Sequence, residues 1–591
     1  MTSLPLAVLL HPALVPAMFA DTQLIHLKPV DLIILLLYFA MVLFIGFYVK
    51  GSTNTSEQFF LAGREMTAWI AGLSFVSANL GSLELMGWAG SAYQYGILAT
   101  HWYWIGAIPA MLFLGIVMMP FYYISKTHSV PGYLQLRFGE GARGLSAISF
   151  GFMTILMSGV NMYAMALVMK VVLGWDINFS IWVGAATVAL YVMLGGLRSA
   201  IINEVLQFVL IWAGAALIPI LGLIEAGGWT NLKAKIAVNV GSSDYTHLWS
   251  TLGHFKDNPM GINWVGIVFG LGAIISFGYW TTDFLVVQRV LSAHNLRAAK
   301  MAPVIGAAFK MAVPLIVIVP GLLALAVLRD PHTGMLIHLV GQNSVDAAHP
   351  YSYNEVLPLM LIRYCGPGLL GLGITALVAG FMSGMAGNVS AFSTVWTYDL
   401  YGAYMNKRAS DKHYVWMGRV STVVGMVISI GTAYLVMRAA SIMDYVQALF
   451  SFFIAPLFGT VILGMLWKRA TNWGGFLGLL AGTASSIGMF IYTSTGTDAH
   501  KMAALARIAL SPDAQPMAEN MFRALWSWLI CVGVTVIVSL MTKPRPLAEL
   551  DGLVYGATPI PHDGSTTLWQ KPIFWAVVVF VVFLILQVIF W

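Results

Sequence analysis

Long apolar stretches separated by short polar connections run through most of this chain. A helix needs about 20 apolar residues to cross the hydrocarbon core of a bilayer. Windows of that kind fall at approximately 30–49, 66–95, 101–124, 145–174, 178–196, 200–225, 262–289, 300–328, 366–400, 415–438, 440–467, 474–494, 522–541 and 572–591. Leu32 to Tyr48 and Pro572 to Trp591, in the first and last windows, carry no charged residue. The pattern predicts an all-α polytopic membrane protein of about 14 transmembrane helices, with residues 30–591 as one membrane domain. Residues 1–29 precede it. Leu4 to Ala20 is apolar but is interrupted by Pro5, His11, Pro12 and Pro16, with no basic residue ahead of it. A short extracytoplasmic segment is expected there rather than a signal peptide or a further span.

Polar residues inside the windows refine this picture. The second span contains Ser77-Ala78-Asn79-Leu80-Gly81-Ser82-Leu83-Glu84, and the ninth contains Gly380-Phe381-Met382-Ser383-Gly384-Met385-Ala386-Gly387-Asn388. Both stretches are expected to be irregular at mid-membrane depth. Glycine lets a helix unwind, and the freed carbonyls can coordinate a small cation. Small residues alone would equally serve close helix packing, but Asn79, Glu84 and Asn388 favour a site. Glu204, Asp283, Lys310, Asp444 and Gln447 also fall inside spans. Ionisable groups there cost at least a few kcal/mol and normally face a cavity or a partner. Arg289 and Asp444 lie near the expected boundaries, where snorkelling or structural pairing explains them as well as function does. Lys310, enclosed by Ala307-Ala308-Phe309 and Met311-Ala312-Val313, needs an anionic partner or a polar cavity.

One positional parallel suggests an internal repeat. The second span opens a set of five, and the seventh, with Ser276-Phe277-Gly278-Tyr279-Trp280 at its middle, opens another. Two five-helix sets inserted in opposite directions build one class of alternating-access transporter. They would occupy about 66–225 and 262–467.

Composition excludes the main alternatives. The 591 residues are 59% hydrophobic and 9% charged, with a mean hydropathy of +0.81, whereas soluble domains carry about 25% charge. The net charge of +6 reads as loop bias rather than nucleic-acid binding. With the N-terminus outside, the short cytoplasmic loops collect Lys126, Arg137, Arg143, Arg297, Lys300, Lys407, Arg408, Lys412, Lys468 and Arg469. Both termini then face outward, and 226–261 and 329–365 form the long outer loops. No Walker A loop, HExxH, GxSxG or dinucleotide fingerprint occurs in a suitable setting, and no paired-histidine motif marks a metal site. An enzyme is not expected. Cys365 and Cys531 lack metal-ligand spacing and read as free, buried thiols.

Several fragments, taken in order, carry a resemblance. They are Ser129-Val130-Pro131-Gly132-Tyr133-Leu134 with Arg137-Phe138-Gly139, and Gly195-Gly196-Leu197-Arg198-Ser199-Ala200 running into Asn203-Glu204-Val205-Leu206-Gln207. Tyr279-Trp280 with Asp283 and Gln288-Arg289, and Lys310 with Pro314 and Pro320, follow. Asp444-Tyr445-Val446-Gln447, Ala455-Pro456 and Trp467-Lys468-Arg469 complete the series. Together they resemble the solute:sodium symporter family, which includes the sodium/glucose cotransporters, from about residue 30 to the last helix.

The resemblance implies a five-plus-five inverted-repeat core of the LeuT type, working by alternating access. It implies a sodium site of the Ser77, Leu80 and Gly380 carbonyls and the Ser383 hydroxyl. Gly384 stands where the family usually has a second hydroxyl, and Asn388, one turn on, is a possible replacement oxygen. Glu204 occupies a usual Asp position, so Glu204 and Asn388 are the expected coupling residues. For the solute, Asn79, Lys310 and Gln447 match polar residues that sugar transporters of the family use, and Tyr279 matches their stacking gate beside Trp280. Glu84 replaces Gln, Tyr103 replaces Glu and Ser276 replaces Asn. The leading expectation is cation-coupled symport, sodium first, of a small organic solute such as a sugar, in a cell (inner or plasma) membrane. The alternatives are a proton-coupled or uncoupled carrier, with Glu84 or Glu204 titrating, and a transporter-like membrane sensor.

Overall fold

A computed structural model describes residues 27–50, 55–329, 337–341, 344–345, 351–437, 439, 441–561, 564 and 567–591. The segment expected ahead of the first span lies almost entirely outside the described residues. Among the described residues the secondary structure is helical, with two isolated bridges, Met66 to Ala293 and Val340 to Ser352.

Every one of the apolar windows holds a helix. Among the described residues, nine are single helices long and apolar enough to cross a membrane, and three more spans are bent helix pairs. Ile108–Ile124 and Ile177–Ala189 are shorter apolar helices that fill the third and fifth windows. The fifth and sixth are separated at Gly196, where φ is 55°. A Cβ at that position would come within 2.6 Å of Phe59 O, so both conformation and space call for glycine there.

The breaks have local causes. The second span divides into Ala68–Ser77 and Ser82–Trp102, bent by 55°, across the expected Ala78–Gly81 stretch. The seventh divides into Gly266–Thr282 and Phe284–Leu291, bent by 49°. Asp283 leaves the helical conformation there and caps the next half by accepting from Leu285 N at 2.9 Å. The eighth divides into Leu296–Lys310 and Val313–Val327, bent by 45°. Pro314 lacks the N–H that would bond Lys310 O and crowds that carbonyl. The last two breaks were not among the sequence expectations.

The ninth span corrects another expectation. It is a continuous α-helix from Leu369 to Val395, with no irregularity across Gly380–Asn388. Its small residues serve close approach instead. A Cβ at Gly380 would meet Leu80 O at 3.1 Å, and one at Gly384 would meet Gly81 Cα at 3.1 Å. The small cost of glycine in a helix, about 1 kcal/mol, is offset by tight contact with the broken second span.

Burial orders the spans. The central windows of the ninth and fourth spans are 89% and 83% buried, against 22% for the first and 28% for the last. The former make the centre of the bundle, and the latter present apolar side chains such as Leu36 and Phe44 outward, as lipid contact requires. The first span docks through Asp31. Its buried carboxylate accepts from Gly368 N at 2.7 Å and Gly371 N at 2.8 Å, capping the start of the ninth helix. Arg363 pairs with Glu225 at 2.5 Å, and Trp249 N donates to Trp591 O at 3.1 Å. Lys28 and Trp591 therefore lie on one face, with both long loops.

Asp31→Ala would strand the buried Gly371 N–H and the half-buried Gly368 N–H, at about 1–3 kcal/mol. It should lower the melting temperature in detergent, while Leu36→Ala, on the lipid face, should leave it nearly unchanged. Equal shifts in the two variants would refute the capping role.

Candidate solute and cation site

The three broken spans bring their break residues to one place. All eight residues expected to bind solute line a single cavity: Asn79, Glu84, Tyr103, Ser276, Tyr279, Trp280, Lys310 and Gln447. Trp88, Trp102, Ile275, Met443 and Phe450 complete its wall. Trp88 follows Glu84 by four residues, and Met443 and Phe450 flank Gln447 by four and three, so helical spacing alone carries the signal for them.

A polar network crosses this cavity. Lys310, 1% exposed, donates to Asn79 Oδ1. The Asn79 amide nitrogen donates to the Tyr279 hydroxyl at 2.9 Å and to Glu84 Oε1 at 3.4 Å. Glu84 also accepts from Tyr103 at 2.5 Å and from Trp88 Nε1 at 3.0 Å. Lys310 thus meets an amide oxygen rather than pairing directly with Glu84, and its ammonium lies 4.7 Å from the Tyr103 ring centroid and 5.1 Å from that of Trp280. Tyr103 and Glu84, expected from the resemblance as exchanged positions, touch each other. Glu84 sits in the first turn of Ser82–Tyr95, where the helix dipole favours negative charge. Gln447 Oε1 is buried with no hydrogen-bond partner. The cavity's free space is about 40 Å³, room for about three waters, so solute entry requires the walls to part.

Behind the Tyr279 ring, which packs on Phe450 at 5.1 Å, the second and ninth spans meet. Ser383 Oγ donates to Ser77 O at 2.8 Å and lies 3.1 Å from Ser77 Oγ. Leu80 O faces Gly380 closely. The sequence-derived set of Ser77, Leu80, Gly380, Ser383 and Gly384 is thereby gathered at one helix contact. Its donor atoms are neutral oxygens, which suit a hard monovalent cation. No group of three or more His, Cys, Asp or Glu side chains able to hold a metal occurs among the described residues.

The two expected coupling residues lie apart. Asn388 lines a smaller cavity of about 20 Å³ with Asn79, Glu84, Asn161, Asp283 and Gly384, and its nitrogen donates to Gly384 O at 3.1 Å. Glu204 is fully buried against Arg289, 2.6 Å from Nη2 and 3.3 Å from Nε, and accepts from Ser74. Arg289 also donates to Leu285 O at 2.8 Å. It is a buried partner of Glu204, the structural pairing expected as one alternative for it.

The model of the sodium:solute symporter family matches residues 59–482. The chain belongs to the sodium:solute symporter family. It is 30% identical over 586 residues to sodium/myo-inositol cotransporter 2 of Oryctolagus cuniculus, covering 91% of this chain and 83% of that one. It is 29% identical over 569 residues to sodium/glucose cotransporter 4 of Danio rerio, covering 92% and 83%. Among solved structures, a substrate-bound, outward-open Na+-coupled sialic acid symporter superposes with a TM-score of 0.67 at 19% identity, covering 88% of this chain and 99% of that one. The fold is thus of the LeuT type, and this family member is a sodium-coupled solute symporter spanning the membrane many times.

In this symporter Asn79→Ala would release Lys310, Tyr279 and Glu84 together. The KM for solute should rise at least about tenfold, ~1.4 kcal/mol, in reconstituted uptake. An unchanged KM would place solute elsewhere.

Proposed function

We propose that this symporter carries a polyhydroxylated solute, a hexose or a cyclitol, with sodium. The proposal rests on the cavity that joins Lys310, Asn79, Glu84 and Gln447 to the rings of Tyr279, Trp280 and Trp88. Fixed donors and acceptors read hydroxyl groups, and aromatic faces pack against the C–H face of a ring. The unpaired Gln447 Oε1 is an acceptor held ready for one hydroxyl. Relatives named as sodium/myo-inositol and sodium/glucose cotransporters point to the same chemical class.

Sodium would lie between the carbonyls of Ser77, Leu80 and Gly380 and the hydroxyl of Ser383. The Ser383 to Ser77 hydrogen bond is the contact it would replace. By holding the two halves of the second span against the ninth, the ion would shape the cavity that Asn79 and Glu84 enter. Downhill entry of sodium then drives the solute by alternating access. Glu204, matched by Arg289, would link the sixth and seventh spans beneath the site, and Asn388 would face the path between the two cavities. The two five-helix sets, about 66–225 and 262–467, would form the moving core of one membrane domain. The face carrying Lys28, Trp591 and both long loops would lie outside, because the short basic loops take the cytoplasmic side.

The test is uptake of labelled glucose and myo-inositol into proteoliposomes under a sodium gradient, a proton gradient or neither. Accumulation should require sodium and should be lost in Ser383→Ala. Accumulation driven by protons alone would overturn the sodium site and move coupling to Glu84. Sodium-driven uptake of neither solute, with another class carried instead, would overturn the polyhydroxylated reading.

A further inference from the structure

We propose that Asn161, on the fourth span, supplies the side-chain oxygen that Gly384 does not provide, making its amide part of the sodium site. The proposal rests on the cation site placed above between Ser77, Leu80, Gly380 and Ser383.

Asn161 is 3% exposed near the middle of Glu140–Leu173. Its amide nitrogen donates to Met157 O, one turn back, at 3.2 Å. That bond turns Oδ1 away from its own helix. Oδ1 is buried and accepts no hydrogen bond from the protein. A buried acceptor without a partner is costly, so such an oxygen in a transport core calls for a ligand.

Its direction is set by two glycines. A Cβ at Gly384 would come 3.1 Å from Asn161 Oδ1, and a Cβ at Gly81 only 2.6 Å from the same atom. Gly81 belongs to the break that carries Leu80, and Gly384 follows Ser383. The amide oxygen therefore occupies the space into which a side chain at 384 would project. An amide from the fourth span thus stands where a hydroxyl at 384 would. Ser82 Oγ, which donates to Asn161 O at 3.3 Å, ties the fourth helix to the break.

Asn161 also lines the small cavity shared with Gly81, Gly384 and Asn388, which adjoins the second and ninth spans on the side of Gly384. An amide oxygen is a hard neutral donor like the hydroxyl it replaces. The ion would then bridge the second, fourth and ninth spans, and its release would free the fourth helix as well as the break.

The test uses the purified full chain in detergent, with its melting temperature in sodium against choline, and sodium-dependent uptake in proteoliposomes. Asn161→Ala should raise the half-saturating sodium concentration about tenfold, ~1.4 kcal/mol, and shrink the sodium-dependent thermal shift. Adding Gly384→Ser to Asn161→Ala should restore both in part, since the added side chain then meets only the Gly81 backbone at close range. Gly384→Ser alone should impair sodium binding by pressing on Oδ1. Asn161→Asp, of nearly the same shape, should tighten sodium binding and serves if the alanine variant does not fold. Unchanged sodium dependence in Asn161→Ala, or in Asn161→Asp where that variant serves, beside its loss in Ser383→Ala would overturn the role of Asn161 and leave the sodium site standing. Unchanged sodium dependence in Ser383→Ala as well would overturn the site itself.

Discussion

At membrane depth no water is at hand for a backbone N–H or C=O, and each one left unpaired costs several kcal/mol. The second span leaves its helix between Ser77 and Ser82 under that constraint. The first half closes on itself, with Leu80 N donating to Val76 O and Ser77 O, and the second begins with Leu85 N donating to Gly81 O. The carbonyls freed between them are covered by the ninth span, whose glycines let it approach within contact distance. A break of this kind is tolerated only where it is enclosed by protein or lines a polar cavity. The density of the centre and the position of the site follow from the same requirement.

The other two breaks complete the arrangement. Tyr279 stands four residues ahead of the seventh-span break at Asp283, and Lys310 ends the first half of the eighth. Each break turns a helix so that a polar side chain enters the cavity and not a neighbouring helix. Asn79 then joins them, accepting from Lys310 and donating to Tyr279 and Glu84. A lysine inside a bilayer is thereby held without a direct carboxylate partner, through an amide and two aromatic rings.

Charge is handled differently below the cavity. Glu204 and Arg289 form a fully buried pair with extra hydrogen bonds from Ser74 and to Leu285 O. Removing one member of such a pair costs about 3–5 kcal/mol, because the other is left charged and alone. This contact binds the sixth span to the second half of the seventh, just as Asp31 binds the first span to the ninth. The spans are thus fastened to one another by charged contacts at these points, and the second to the ninth by neutral oxygens.

Hydrophobic length determined the positions of the spans, because a bilayer allows nothing shorter or more polar to cross. Polar residues stranded within those spans disclosed Asn79, Glu84, Lys310 and Gln447 as pocket groups, because burial without a partner is costly. Fragment resemblance, not pattern, proposed the Ser77, Leu80, Gly380 and Ser383 set, whose members the fold brings to one helix contact. Other features depended on contacts between residues hundreds of positions apart. Local composition does not distinguish a glycine that unwinds a helix from one that lets another helix approach, so the straight ninth span was hidden. The break after Lys310 depends on Pro314, but its effect on where lysine points depends on Asn79, 231 residues away. The pairing of Glu204 with Arg289, and the aim of Asn161 at two bare glycines, belong wholly to packing. Sequence determines which groups must be satisfied inside the membrane; the tertiary structure decides which partner satisfies each, because that choice is made by distance in space.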